Sequence, residues 1–280
     1  MSCNSSITKQ NKGLKRNTID KFYTKTVVTE ECVSLVKQYI HISKDDLVIE
    51  PSAGNGSFIE PIKLLFNNYK FYDLEPEHNE IIKFDFLNFD HNTVTQNYNN
   101  IHIIGNPPFG RQSSLAIKFI KTCCYFSSSI SFILPKSFKK GSMRKHFSSN
   151  FHLIFEMDLQ EKSFLVNGVE TNVECVFQIW KKEKEERKPE IKLNPINFEF
   201  VKKENNPDIS FRRIGNAGTI TKVINDKNIN SHYFIKFMNN KTVDDNIEKL
   251  KPIHFPFNNT VAAKSISKQE LIIEFNKLLL

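Results

Sequence analysis

The chain has 280 residues, 39% hydrophobic and 25% charged, with 39 basic against 31 acidic side chains and a formal net charge of +8. That composition suits a globular protein with a proper core. It leaves no run near the roughly 18 apolar residues of a membrane helix, and the polar, lysine-bearing start from Met1 to Arg16 is not expected to be a secretory signal. The cationic surplus suits a polyanionic partner without demonstrating one, since solvated lysine also serves solubility.

Residues 1–19 read as a disordered basic arm. Val27, Val28, Cys32, Leu35, Val36, Tyr39 and Ile40 then recur at helical spacing, which predicts a helix over 26–40. The apolar run Leu47-Val48-Ile49 reads as a buried parallel strand, broken by Glu50-Pro51 and a glycine turn. A helical stretch through Ile62 and Phe66 follows, then strands at 69–73, 81–84 and 101–105, a helix at 113–126, and a strand at 130–134. A basic turn holding Lys136, Lys139, Lys140, Arg144 and Lys145 leads to two β-like runs, 151–159 and 172–180, joined by a loop with Asn167-Gly168. Strands alternating with helices predict an α/β fold, a doubly wound Rossmann-like sheet whose last two runs form an antiparallel hairpin at one edge. Beyond the charge run 181–188, residues 189–280 show shorter pieces, 198–201 and 233–237, and a closing amphipathic helix, 268–279. They predict a small C-terminal α+β unit.

Five cysteines (Cys3, Cys32, Cys123, Cys124, Cys175) are an odd number without metal-ligand spacing. No metal is expected, and a reducing intracellular compartment, cytoplasmic or nuclear, fits best.

Three motifs carry chemistry. The first strand ends in Glu50-Pro51-Ser52-Ala53-Gly54-Asn55-Gly56-Ser57-Phe58, where glycines let the backbone approach a ligand and a helix start offers free amides. It lacks the Gly-Lys-Ser/Thr ending that holds a triphosphate, and a plain turn is the alternative reading. The second strand ends in Asp73-Leu74-Glu75-Pro76. A carboxylate there can accept from both hydroxyls of a ribose, or merely close the strand. The third motif, Asn106-Pro107-Pro108-Phe109, directly follows a strand. Its prolines fix the backbone and remove amide donors, leaving carbonyls free to accept. An amide oxygen, a carbonyl and an aromatic face together suit a planar base bearing an amino group; a rigid turn is the bland alternative.

On these motifs, and on Asp20-Lys21-Phe22-Tyr23-Thr24-Lys25 ahead of the first helix, the chain from about 20 to 180 resembles the class I amino-methyltransferases, specifically the N6-adenine enzymes of phages and large viruses. The resemblance implies S-adenosylmethionine as cofactor. It places Glu50, Ala53 and Gly54 along the methionine part, with Thr24 and Tyr23 capping its carboxylate. Asp73 would hold the ribose, Leu74 would lie against the adenine, Asp85 would accept from the cofactor's amino group, and Phe86 would stack on its ring. Phe84 and Phe86 also suit alternating core positions. It makes Asn106, Pro107, Pro108 and Phe109 the catalytic set.

The implied activity is methyl transfer to N6 of adenine in DNA, by a catalytic domain at 20–188 with a substrate-recognition unit at 189–280. The enzyme would act alone or beside a nuclease or partner subunit. RNA, capped or structured, is the alternative substrate. Protein glutamine and an inactive binding subunit fit less well, and no Pro-Cys nucleophile supports C5-cytosine chemistry. Lys136, Lys139, Lys140, Arg144, Arg212 and Arg213 are the expected phosphate contacts, the arginine pair preceding the flexible run Gly215-Asn216-Ala217-Gly218.

Overall fold

In a computed structural model, residues 22–189, 191–255, 257, 259 and 264–280 are described. The expected basic arm, Asp20, Lys21 and Cys3 lie outside them. A short strand β1 (Tyr23–Thr24) leads into α1 (Thr26–Tyr39), β2 (Leu47–Glu50), α2 (Ile59–Leu65), β3 (Tyr69–Asp73), β4 (Ile81–Lys83), the single turn α3 (Asn92–Thr95) and β5 (Ile101–Gly105). Next come α4 (Ser114–Phe126), β6 (Ser129–Pro135), the turn α5 (Gly141–Arg144), β7 (Phe151–Asp158), the hairpin β8 (Phe164–Val166) and β9 (Val169–Thr171), and β10 (Cys175–Lys182). The chain ends with β11 (Phe198–Val201), β12 (Ile209–Arg212), β13 (Ile220–Thr221), β14 (His232–Phe237), α6 (Val243–Leu250) and α7 (Lys268–Leu279).

The seven-stranded sheet runs β4-β3-β2-β5-β6-β10-β7. The first five strands are parallel, and β10 and β7 are antiparallel to their neighbours. Alternation along each strand sends side chains to two cores. Val48, Ile104 and Ile133 join Val28, Cys32, Val33 and Val36 of α1 and Ile59 and Ile62 of α2 on one face. Leu47, Ile49, Ile103, Ile130 and Phe132 join Ala116, Phe119, Ile120 and Cys123 of α4 on the other. The α4 set falls at i, i+3, i+4 and i+7, an apolar stripe one helix face wide. Each fully buried Val, Leu, Ile or Phe among these residues contributes roughly 1.5–3 kcal/mol. The result is the doubly wound sheet with an antiparallel edge that the sequence predicts.

Three expectations are corrected. The stretch between the last two runs is no simple loop. It is the β8–β9 hairpin, turned by Asn167 (φ 50°) and Gly168 (φ 75°), the positive pair that a two-residue hairpin needs. That hairpin pairs with β1, Tyr23 opposite Leu165. The last run starts at Cys175 rather than Asn172, because residues 172–174 carry the chain from this small sheet back to the large one. The helix expected from Ser113 starts at Ser114, since Ser113 (φ 61°) is left-handed.

At the amino-terminal edge of the parallel strands, His102 Nδ1 meets buried Ser129 Oγ at 2.8 Å, and exposed Asn100 donates through Nδ2 to buried Asp46 at 3.0 Å. Burial pushes the His102 imidazole below its ordinary value, with Asp46 offsetting part of this. The buried thiols Cys32, Cys123 and Cys175 are pushed up by burial, and Cys124 is raised to about 11.

The C-terminal residues build a separate antiparallel sheet, β11-β14-β12-β13. Phe198, Ile209, Phe211 and Ile235 face Leu250 of α6 and Leu271 and Phe275 of α7 in a third core. Both helices open with a capping box, Thr242 with Asp245 and Ser267 with Glu270. Among the described residues, no helix is long and apolar enough to cross a membrane.

Candidate active site

The carboxyl ends of β2, β3 and β5 lie side by side, which gathers the three motifs at one sheet edge. Glu50, last in β2, is 2% exposed, and its Oε2 has no hydrogen-bond partner. Burial, reinforced by the neighbouring Asp73 charge, holds its carboxyl well above the usual range. The adjacent strand ends in Gly105, where a β-carbon would stand 3.2 Å from Glu50 Cγ. That glycine therefore makes room for Glu50, a role not singled out from sequence. Its only signal there is a glycine closing a buried strand immediately before Asn106.

The glycine turn is tied to the second strand. The Gly54 N–H donates to Asp73 Oδ2 at 2.8 Å, and the Glu75 N–H to Asp73 Oδ1 at 2.8 Å. Ala53, buried, donates its N–H to the Tyr72 carbonyl at 2.9 Å. Gly54 takes φ +54°, with the Tyr23 ring 3.3 Å from where its β-carbon would be. The Tyr23 hydroxyl donates to Glu77 at 2.5 Å. Leu74, 59% exposed, stands beside Asp73 as an apolar surface open to a ligand. Asp85 accepts from the Leu87 N–H (3.1 Å) and Asn88 Nδ2 (2.9 Å), capping a short turn beyond β4.

Phe86 requires a correction. It is 1% exposed and lies in a cluster with Phe89, whose ring stacks on it at 4.8 Å, Tyr72 and Phe119. With no free face it serves the core, the alternative reading of that stretch.

Asn106 is held from three sides. Its Nδ2 donates to the Phe22 carbonyl and to Thr24 Oγ1, each at 3.2 Å. Its own carbonyl accepts from Ser52 Oγ at 3.1 Å. A backbone carbonyl can only accept, so the amide nitrogen must face Phe22 and the oxygen must face away. That oxygen, Oδ1, is buried and without a partner. Buried acceptors are nearly always satisfied, and leaving one bare costs about 1–3 kcal/mol. Pro107 is buried, Pro108 is half-buried, and the half-buried Phe109 ring packs against both cores of the sheet. Sequence reasoning missed Ser52 and the Phe22 carbonyl. They meet Asn106 across 54 and 84 residues of chain, and only β1 pairing with β8 brings the Phe22–Thr24 segment there.

The basic turn after β6 differs from expectation. Lys136 pairs with Glu174 (2.9 Å) and Asp158 (3.5 Å), Lys139 with Asp158 (2.8 Å), Lys140 with Glu270 (3.5 Å) and Arg144 with Glu156 (2.8 Å). All four cations are thus neutralised within the fold, and Lys140 also donates to the Ser265 carbonyl at 3.1 Å. Arg212 closes β12 of the C-terminal sheet and Arg213 follows it; Arg212 Nε donates to the Ile214 carbonyl (3.2 Å) and an Arg213 amino group to the Asn230 carbonyl (2.9 Å).

No protein-family model matches the chain, and no curated protein matches it. Among solved structures it is similar to a protein provisionally described as an RNA methyltransferase from Pyrococcus horikoshii, at 16% identity over 62% of this chain and 94% of that one, TM-score 0.44. A second, provisionally described as a class I S-adenosylmethionine-dependent methyltransferase from Listeria monocytogenes, shares 12% identity over 64% and 66% of the chains, TM-score 0.45. A third is the modification subunit of a provisionally described type I restriction enzyme from Vibrio vulnificus, at 15% identity over 60% of this chain. There the match spans 46% of the subunit, TM-score 0.42. With TM-scores below 0.5, these likenesses carry nothing about this chain's chemistry.

Proposed function

We propose that the chain is an S-adenosylmethionine-dependent methyltransferase that modifies the exocyclic N6 of adenine in DNA. The observation that carries this reading is the bare, buried Asn106 Oδ1, oriented by its own amide nitrogen and followed by two prolines. Around it the residues fit the cofactor: the unpartnered Glu50 Oε2 suits an ammonium, the Gly54 turn allows close approach, Asp73 suits a ribose and Leu74 an adenine face. When bound, that cofactor supplies an electrophilic sulfonium methyl.

The chain's own task is to prepare the acceptor. A purine amine is a poor nucleophile because its lone pair is delocalised into the ring. Asn106 Oδ1 and the Pro107 carbonyl accept its two hydrogens, which favours a pyramidal nitrogen with its lone pair directed forward. Orientation and fixed dipoles then carry most of the rate. Phe109 offers a stacking face worth about 1–3 kcal/mol per base, and a base within a duplex must first be flipped out. Residues 20–188 are the catalytic domain in this reading, and 189–280 the substrate-recognition unit.

The test is transfer of a labelled methyl group to matched DNA, RNA and capped RNA, with hydrolysed nucleosides identified by mass. N6-methyladenine in DNA is expected, with Asn106→Ala losing roughly 10²–10³ in rate, as when an oxyanion donor is removed. Label in RNA alone would move the substrate to RNA. Wild-type turnover by the variant would refute the role of Asn106.

A further inference from the structure

At one end of the C-terminal sheet, two rings and two cations form a continuous row. Lys268 Nζ lies 4.6 Å from the centre of the Phe200 ring, Phe200 meets Tyr233 edge to face at 5.4 Å, and the Arg213 guanidinium lies 5.3 Å from the centre of Tyr233. Arg212, exposed, is next in β12, opposite His232 in β14. Beyond burial, Arg212 and Lys227 push the His232 imidazole down, a sign of the positive potential there.

These cations differ from those of the 136–145 turn in one decisive respect. Among the described residues, neither arginine nor Lys268 forms an ion pair; the arginines rest on backbone carbonyls, and Arg213 and Lys268 rest on ring faces. Ring faces and carbonyls hold a cation in place without neutralising it. Such a charge is available to a phosphate, whereas Lys136, Lys139, Lys140 and Arg144 are matched by carboxylates.

The row is also tied to the edge that bears Asn106. Lys140, on the turn directly after β6, donates to the Ser265 carbonyl; Ser265 bridges Ile214, the Ile266 N–H donates to the Arg213 carbonyl at 2.8 Å, and the Tyr233 hydroxyl donates to the Ile266 carbonyl at 3.1 Å. Two residues of chain therefore connect the free cations to the active edge.

We infer that the row Lys268–Phe200–Tyr233–Arg213, with Arg212, is the track for a single-stranded nucleic-acid segment flanking the acceptor base. The cations meet its phosphates, and the Arg213 guanidinium, seated over Tyr233, offers a planar surface to an unpaired base. A guanidinium held over a ring favours a single strand, because stacking on it requires bases that a duplex keeps inside. The inference rests on the reading of Asn106 for where the reacting base lies, but its test reads binding alone.

The full chain would be titrated with fluorescent single-stranded DNA, the same sequence as RNA, and the matched duplex, each from 50 to 300 mM salt. The variants are Arg213→Gln with Lys268→Gln, and Arg212→Gln with Lys268→Gln, which leaves the Asn230 contact in place. Each lost phosphate contact lowers the single-strand salt slope by about 0.7. Both double variants are therefore expected to flatten it by about 1.4 on whichever strand chemistry binds, DNA or RNA. Lys136→Gln with Lys139→Gln should leave the slope within about 0.3 of wild type. An unchanged slope in the first two variants on both single strands would overturn the track, and tighter binding of the duplex would overturn its single-stranded character. Failure of the methyltransferase reading looks different: no labelled methyl is transferred, while the slopes still respond.

Discussion

Glu50→Gln is expected to stabilise the ligand-free fold at neutral pH, because the wild-type carboxylate is fully buried beside Asp73 with an unpartnered oxygen. Burial raises its folded-state pKa well above the ordinary 4.5. The sign follows from proton counting. Above pH 4.5 the unfolded chain has released this proton while the folded chain retains it. Rising pH therefore favours unfolding until the folded-state pKa is reached. Within that window the loss is about 1.4 kcal/mol per pH unit. For a protein of this size that is roughly 2–3 °C in melting temperature between pH 5 and 6. Glutamine does not titrate, so the difference between variant and wild type should be small near pH 4.5 and grow as pH rises. Groups remote from Glu50, His102 among them, act equally on both proteins and cancel in the difference. The assay is a paired series of thermal melts from pH 4.5 to 8. Under the proposed function the same variant should bind S-adenosylmethionine more weakly, since glutamine cannot ionise to face the ammonium. A variant that melts at or below wild type throughout, with a flat difference, would refute the reasoning.

Asp73→Ala should weaken cofactor binding roughly 10–100-fold, the loss of hydrogen bonds to a charged acceptor; equal affinity by calorimetry would sink that role. Thr24→Val removes one of the two acceptors of Asn106 Nδ2 while keeping the shape. It should lower kcat about fivefold, the value of one neutral hydrogen bond, and an unchanged kcat would show that the Phe22 carbonyl alone orients the amide.

The doubly wound sheet was legible in the sequence because its signals are local. Leu47-Val48-Ile49 and residues 101–105 are unbroken apolar runs, α4 has its stripe at helical spacing, and the glycine turn and Asn106-Pro107-Pro108-Phe109 each sit at the end of such a run. Periodicity and punctuation suffice there, since neighbours in sequence decide whether a run can be a buried strand. The C-terminal unit was read less fully. Residues 198–201 and 268–279 are evident from pattern, but β12, β13 and α6 are short and carry weak patterns, and they take shape from packing around Phe211 and Phe275.

Side-chain pairing was not legible at all. Lys136, Lys139, Lys140 and Arg144 look in sequence like an open basic cluster, because their partners Glu156, Asp158, Glu174 and Glu270 come from β7, the crossover into β10, and α7. Phe86 looks available until Phe89 and Phe119 close over it. The orientation of Asn106 depends on Phe22 and Thr24, more than 80 residues away, which meet it only once β1 has paired with the β8–β9 hairpin. Residue types and their order along the chain determined which chemistry is available; which charges remain free and which way an amide points were decided by long-range contacts that only the folded chain makes.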